Sequence, residues 1–98
     1  MKNENAFQAQ VIRELKELFP GCVVLKNDAG YLQGFPDLTI LYYGNRWAVL
    51  ETKRSSREPH RPNQDYYIGL LDEMAYASFI YPENKEQVYH ELQQALRP

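Results

Sequence analysis

Hydrophobic spacing along this chain changes from helical to strand-like and back, and those changes outline the elements. Residues 5–19 place Phe7, Val11, Ile12, Leu15, Leu18 and Phe19 along one helical stripe. Asn5 followed by Gln8 fits a capping box, and Pro20-Gly21 stops the helix. Cys22 to Lys26 reads as a short strand rich in β-branched residues, and the polar stretch Asn27 to Gly34 reads as a loop. Two apolar runs, Leu38 to Tyr43 and Arg46 to Leu50, then form a hairpin about Gly44-Asn45. Both runs are apolar at consecutive positions, which predicts a central place in the sheet with helices over both faces.

The segment Lys53 to Asn63 (KRSSREPHRPN) carries no periodic pattern and predicts a mobile loop. Pro62 predicts the start of a helix bearing Tyr67, Leu70, Leu71, Met74 and Ala75. Ala77 to Tyr81 is a further strand, and Glu83 to Arg97 a last helix with Val88, Leu92 and Leu96 inward. The order αβββαβα predicts an α/β fold, one small mixed β-sheet flanked by helices, as a single domain over residues 1–98.

Composition narrows the class. A chain of 98 residues supports one core that buries roughly 60–65% of the surface its unfolded form exposes. The single cysteine, Cys22, excludes an intramolecular disulfide and is expected as a buried core thiol. No apolar stretch approaches the roughly 20 residues of a membrane span, and MKNENAFQAQ has no signal-peptide core, so the expectation is a soluble, cytoplasmic protein with no membrane partner. Net charge is −2, which argues against coating nucleic acid by bulk electrostatics. The distribution says more. Arg46 to Arg61 holds five basic residues (Arg46, Lys53, Arg54, Arg57, Arg61) against Glu51 and Glu58, a local +3 that leaves −5 elsewhere. Such separation fits a protein that grips phosphates in one place, and an unpartnered solvated loop would carry the same pattern.

Asp37 opens one apolar run and Glu51-Thr52-Lys53 closes the next. Strand side chains alternate faces, so Glu51 and Lys53 point the same way. Two carboxylates suit a hard divalent cation, and an adjacent lysine steadies developing negative charge. The blander readings are a turn acid at Asp37 and a surface pair of Glu51 with Lys53. Register adds a constraint. A two-residue turn at Gly44-Asn45 would pair Tyr43 with Arg46, hence Asp37 with Thr52, and put Asp37 and Glu51 on opposite faces. A shared site therefore requires an odd loop, Tyr43-Gly44-Asn45, or a bulge near Asp37. His60 and His90 are the only histidines, and neither has a partner at zinc spacing.

A helix, then Gly34-Phe35-Pro36-Asp37-Leu38, then Glu51-Thr52-Lys53, then Gln64 opening the next helix resembles the PD-(D/E)XK nuclease superfamily. Within it the chain is similar to stand-alone VRR-NUC domains of phages and bacteria, from Glu4 to about Tyr81. The resemblance implies a restriction-endonuclease-like fold and Mg²⁺- or Mn²⁺-dependent hydrolysis of DNA. It implies that Asp37, Glu51 and the Thr52 carbonyl hold the metal, that Lys53 is the catalytic lysine, and that Gln64 touches the site. The family's first-helix acid matches Glu4, with Glu14 as a competitor that otherwise reads as a solvated helix face. Lys26 would approach the site or a phosphate, and Arg54, Arg57, His60 and Arg61 would grip the DNA backbone. Members of this type resemble homodimeric resolvases of four-way junctions, and the helix faces bearing Tyr66, Tyr67, Tyr76 and Tyr89 are the expected dimer surface. A restriction-type endonuclease and a non-catalytic nucleic-acid-binding or assembly module are the alternatives.

Overall fold

The computed structural model describes residues 4–28 and 30–97; the side chain of Glu4 lies outside that description. The elements are α1 (Glu4–Leu18), β1 (Val23–Lys26), β2 (Leu38–Tyr42), β3 (Arg46–Thr52), α2 (Gln64–Met74), β4 (Tyr76–Ile80) and α3 (Lys85–Leu96). This is the predicted αβββαβα order, and the class is α/β with a four-stranded mixed sheet. The strands lie in the order β1-β2-β3-β4. The first three are antiparallel neighbours, and β4 returns parallel to β3 through the α2 crossover.

Alternation along the strands divides the core between two faces. On one face Leu38, Ile40, Ala48, Leu50 and Ile80 meet Phe7, Val11, Leu15 and Phe19 of α1 and its end, and Val88, Leu92 and Leu96 of α3. On the other, Val49 and Ala77 meet Leu71, with Phe35, Trp47, Tyr67 and Ile68 packed around them. The helix over this second face, α2, lies on β4 and β3. Part of the expectation that both hairpin strands are covered therefore fails. Val23, Leu25 and Leu41 share the α2 side of the sheet, through the pairs Val23–Leu41 and Leu25–Thr39, and are 50%, 44% and 42% exposed.

The hairpin register settles the sequence constraint. Tyr42 pairs with Arg46, so the loop is the odd three residues Tyr43-Gly44-Asn45, with Gly44 and Asn45 at φ of 80° and 60°. Leu38 pairs with Leu50, and one further step sets Asp37 opposite Glu51. Asp37, just before the ladder, and Glu51 line one cleft, and no bulge interrupts the pairs.

Other expectations are corrected. The helix α1 already includes Asn5, and the Gln8 amide reaches Thr52 instead of closing a capping box. Pro62 lies in the turn before α2, whose first residue is Gln64, because Asn63 takes a left-handed φ of 72° at the cap position. Met74 is 62% exposed instead of inward. Cys22 is half-buried, free, and close to the Leu15 carbonyl. The segment after Lys53 is irregular as expected, yet it is held: Ser56 N–H and Oγ both donate to Glu83, and the Arg54 N–H donates to Glu58 at 2.7 Å.

Candidate active site

The C-terminal end of β3 meets two loops, and a cleft of about 620 Å³ opens where they converge. One wall is the loop that leads into β2. Its Gly34 has φ of 88°, and a Cβ there would stand 2.6 Å from Asn63 Cβ and 2.7 Å from the Pro62 carbonyl oxygen. Only glycine lets this loop close against the turn before α2. Next to it the Phe35 ring meets Tyr67 of α2 edge-on, with centroids 5.5 Å apart. The sequence Gly34-Phe35-Pro36 therefore fixes the position of Asp37, immediately before β2.

Asp37, Glu51, Lys53 and Gln64 all line the cleft. Glu51, Lys53 and Gln64 are 6%, 2% and 7% exposed, so Glu51 and Lys53 are not a surface pair. Burying a carboxylate and an ammonium costs heavily unless each is paired. The Gln64 amide couples the two. Its Nε2 donates to Glu51 Oε2 at 3.1 Å, while its Oε1 accepts from Lys53 Nζ at 2.7 Å and from the Arg61 N–H at 2.8 Å. Lys53 Nζ also donates to the Pro59 carbonyl at 3.2 Å and lies 3.7 Å from Glu58 Oε2. No buried side-chain nitrogen or oxygen among the described residues lacks a hydrogen-bond partner.

Asp37 is held differently. Its Oδ2 accepts the Thr52 hydroxyl at 2.6 Å and its Oδ1 accepts the Thr52 N–H at 3.1 Å. Burial pushes the Asp37 carboxyl above the usual range, and hydrogen bonds from the Thr52 side chain, the Thr52 backbone and Gln8 offset part of that. Continuing the β2–β3 register, Pro36 stands across from Thr52. Proline has no N–H to give, so the ladder brings no donor from that position to the Thr52 carbonyl.

Hard oxygen donors are what Mg²⁺ and Mn²⁺ accept, and two carboxylates with a backbone carbonyl form such a set. Among the described residues no group of three or more His, Cys, Asp or Glu side chains is arranged for a metal. The set matches a cation that takes one or two carboxylates and completes its shell with water and phosphate oxygens, as Mg²⁺ does.

The remaining predicted residues divide. Arg61 lines the cleft. Arg54 is 60% exposed beside Glu58, at 3.8 Å. Arg57 is exposed on the same loop. The His60 ring stacks on Phe79 with centroids 4.0 Å apart and pairs through Nδ1 with Asp65 at 2.7 Å, so it has two intramolecular partners. Lys26 pairs with Leu38 and so sits on the sheet face opposite the cleft, which it does not line. Glu4, as a site acid, lies outside the described side chains. Glu14 is not a solvated face residue: it pairs with Lys85 at 3.0 Å and accepts the Tyr89 hydroxyl at 2.7 Å, away from the cleft.

Three contributors were missed by sequence reading. Gln8 lies one helical turn beyond Glu4, and Asn27 faces Asp37 one step beyond the β1–β2 ladder, donating its amide to the Pro36 carbonyl and Thr39 hydroxyl. Both were findable by extending a periodicity. Glu58, the 10% exposed counter-ion of Lys53, depends on the path of an irregular loop and has no local signal. A scan against protein-family models and searches of curated proteins and of solved structures find no match to this chain.

Proposed function

We propose that this chain is a metal-dependent DNA endonuclease that hydrolyses phosphodiester bonds, acts on branched DNA such as four-way junctions, and works as a homodimer. The observation that carries the reading is the convergence of Asp37, Glu51 and Lys53 in one cleft, with the last two buried and joined through Gln64. Buried opposite charges held by one amide are costly to keep for stability alone, since apolar residues of similar volume serve as well or better. Buried, paired ionisable groups gathered in a cleft are an ordinary mark of a chemical site.

Asp37, Glu51 and the Thr52 carbonyl would hold Mg²⁺ or Mn²⁺. Bound there, such an ion polarises a phosphoryl oxygen and acidifies a water. The Lys53 ammonium meets the negative charge that grows on the phosphoryl oxygens during attack. Gln64 sets the positions of Glu51 and Lys53 together, so neither has to reorganise when charge develops. Glu58, which also lines the cleft, balances the Lys53 charge. Arg61 at the cleft and Arg54 and Arg57 on the loop would hold flanking phosphates, which positions DNA without reading its sequence.

The dimer surface in this reading differs from the tyrosine faces that the sequence suggested. Tyr89 is buried in the core and Tyr76 is half-buried with its hydroxyl donating to Glu91. The patch of Val23, Leu25 and Leu41, at the free β1 edge of the sheet, is the apolar surface suited to a second copy, because one patch facing itself about a twofold axis is self-complementary.

Labelled linear duplex, hairpin and four-way-junction DNA, incubated with the chain with and without Mn²⁺, test the activity. The expected result is cutting only with Mn²⁺ and faster on the junction. No cutting of any substrate would sink the reading, and equal rates on linear and branched DNA would move it to a restriction-type endonuclease.

A further inference from the structure

The loop between β1 and β2 carries Tyr31, the most exposed aromatic side chain among the described residues, and it stands beside the cleft. Tyr31 is 87% exposed and Leu32 38%. A scattered apolar side chain on a surface is ordinary, but an aromatic ring held out by an anchored loop at the rim of a site is informative. The loop is anchored. The Gly30 N–H donates to Asp28 Oδ1 at 2.8 Å, the Tyr31 N–H to the Asp28 carbonyl at 3.2 Å, and the Phe35 N–H to the Leu32 carbonyl at 3.1 Å. At its far end Gly34 presses against the turn before α2.

Beneath Tyr31 lies a second pocket of about 350 Å³, lined by Tyr31, Leu32, Phe35, Asn27 and Asp28. That volume is at the lower end of small-ligand sites, which run from about 300 to 1,000 Å³. It shares Asn27 and Phe35 with the cleft, so the two adjoin. Its walls are aromatic and aliphatic, and its polar edge is specific. Both amide hydrogens of Asn27 are spent on the Pro36 carbonyl and the Thr39 hydroxyl, which leaves its oxygen as the group on offer. Asp28 already holds Gly30 through one oxygen and adds a second acceptor. A largely apolar pocket with an aromatic ring and two acceptor residues in its lining suits a nucleobase taken out of its stack, which offers a π-face and hydrogen-bond donors on its edge.

We propose that this pocket receives an unpaired or unstacked base next to the bond being cut, with Tyr31 as the stacking residue. The proposal rests on the nuclease reading and deepens it. Unpaired or easily unstacked nucleotides occur where strands branch, gap or bulge, and extruding a base there is cheaper than from a continuous duplex. A preference for such DNA would then come from one loop of one subunit, independently of how two subunits sit on a junction.

Fluorescence anisotropy tests it with two DNA duplexes of equal length, one fully paired and one carrying a single unpaired nucleotide, each titrated with the Glu51→Gln protein. The measured quantity is the ratio of the two affinities. The expected ratio favours the unpaired site by roughly 5- to 160-fold, the range of one base–aromatic stack. Adding Tyr31→Ala brings the ratio close to one, and Tyr31→Trp, which keeps a stacking ring, preserves it. A ratio near one before the Tyr31 change, or one that Tyr31→Ala leaves in place, overturns the proposal. Failure of the nuclease reading shows separately, as absence of Mn²⁺-dependent cutting by the unaltered protein, while the affinity ratio still decides the pocket.

Discussion

At the scale of single residues, the site depends on how a buried ammonium and a buried carboxylate share one neutral amide. Gln64→Leu removes that amide at nearly constant volume and strands Lys53 and Glu51 without their common partner. The expected loss is about 1–3 kcal/mol of stability in urea unfolding, the cost of taking one hydrogen bond from each of two buried charged groups. A variant as stable as the parent would mean that the two charges find other partners at once. Alternation in the sequence put Glu51 and Lys53 on one face, but bringing Asp37 to them required an odd hairpin loop or a bulge, and the register shows the odd loop. The sequence did not show that Glu51 and Lys53 would be buried, because burial depends on the loop of residues 53–63 folding over them. Glu58 escaped for the same reason. A glutamate in an irregular, basic stretch reads as solvated until the loop path brings it to Lys53.

At the scale of elements, helices and strands were legible almost to the residue wherever apolar periodicity was long, as in α1, β2 and α3. They were less legible where a special backbone conformation decides the boundary. Asn63, at positive φ, delays α2 past Pro62, and nothing in residue type separates that from a helix opened by proline. The contact of α1 with α3 was not foreseen either, since Glu14 looked like part of a charged outer face. Burial raises the Glu14 pKa, but hydrogen bonds from Tyr89, Lys85 and Gln10 outweigh it and hold the carboxyl below its ordinary 4.5. A depressed folded-state pKa contributes stability above the unfolded value and loses it as pH falls through the folded one. Glu14→Gln should therefore cost about 1 kcal/mol at neutral pH, a modest figure because the carboxylate is 31% exposed and screened. The difference from the parent should shrink as pH drops below 4.5. Thermal unfolding of both proteins across the acid range checks this. A gap that widens in acid would contradict the assigned pairing.

At the scale of the whole molecule, one short chain with a net charge of −2 has few phosphate contacts to offer, and the proposed dimer would double them. Leu25→Glu with Leu41→Glu places like charges across the proposed twofold contact, and light scattering at micromolar concentration should report a monomer where the parent is a dimer. A dimer that survives both changes would move the contact elsewhere, and a monomeric parent would remove it. Whatever the assembly, the central claim is that the cleft formed by Asp37, Glu51 and Lys53 breaks phosphodiester bonds. Glu51→Gln tests it most directly, because the new amide still accepts the Gln64 hydrogen bond and occupies nearly the same volume, so the fold is kept while the ligand charge is lost. Cutting of a labelled four-way junction in Mn²⁺, compared side by side, should fall by more than about 100-fold in Glu51→Gln, since even outer-shell partners of a metal are worth 10–100-fold. Equal cutting by the parent and a folded Glu51→Gln protein would contradict the account.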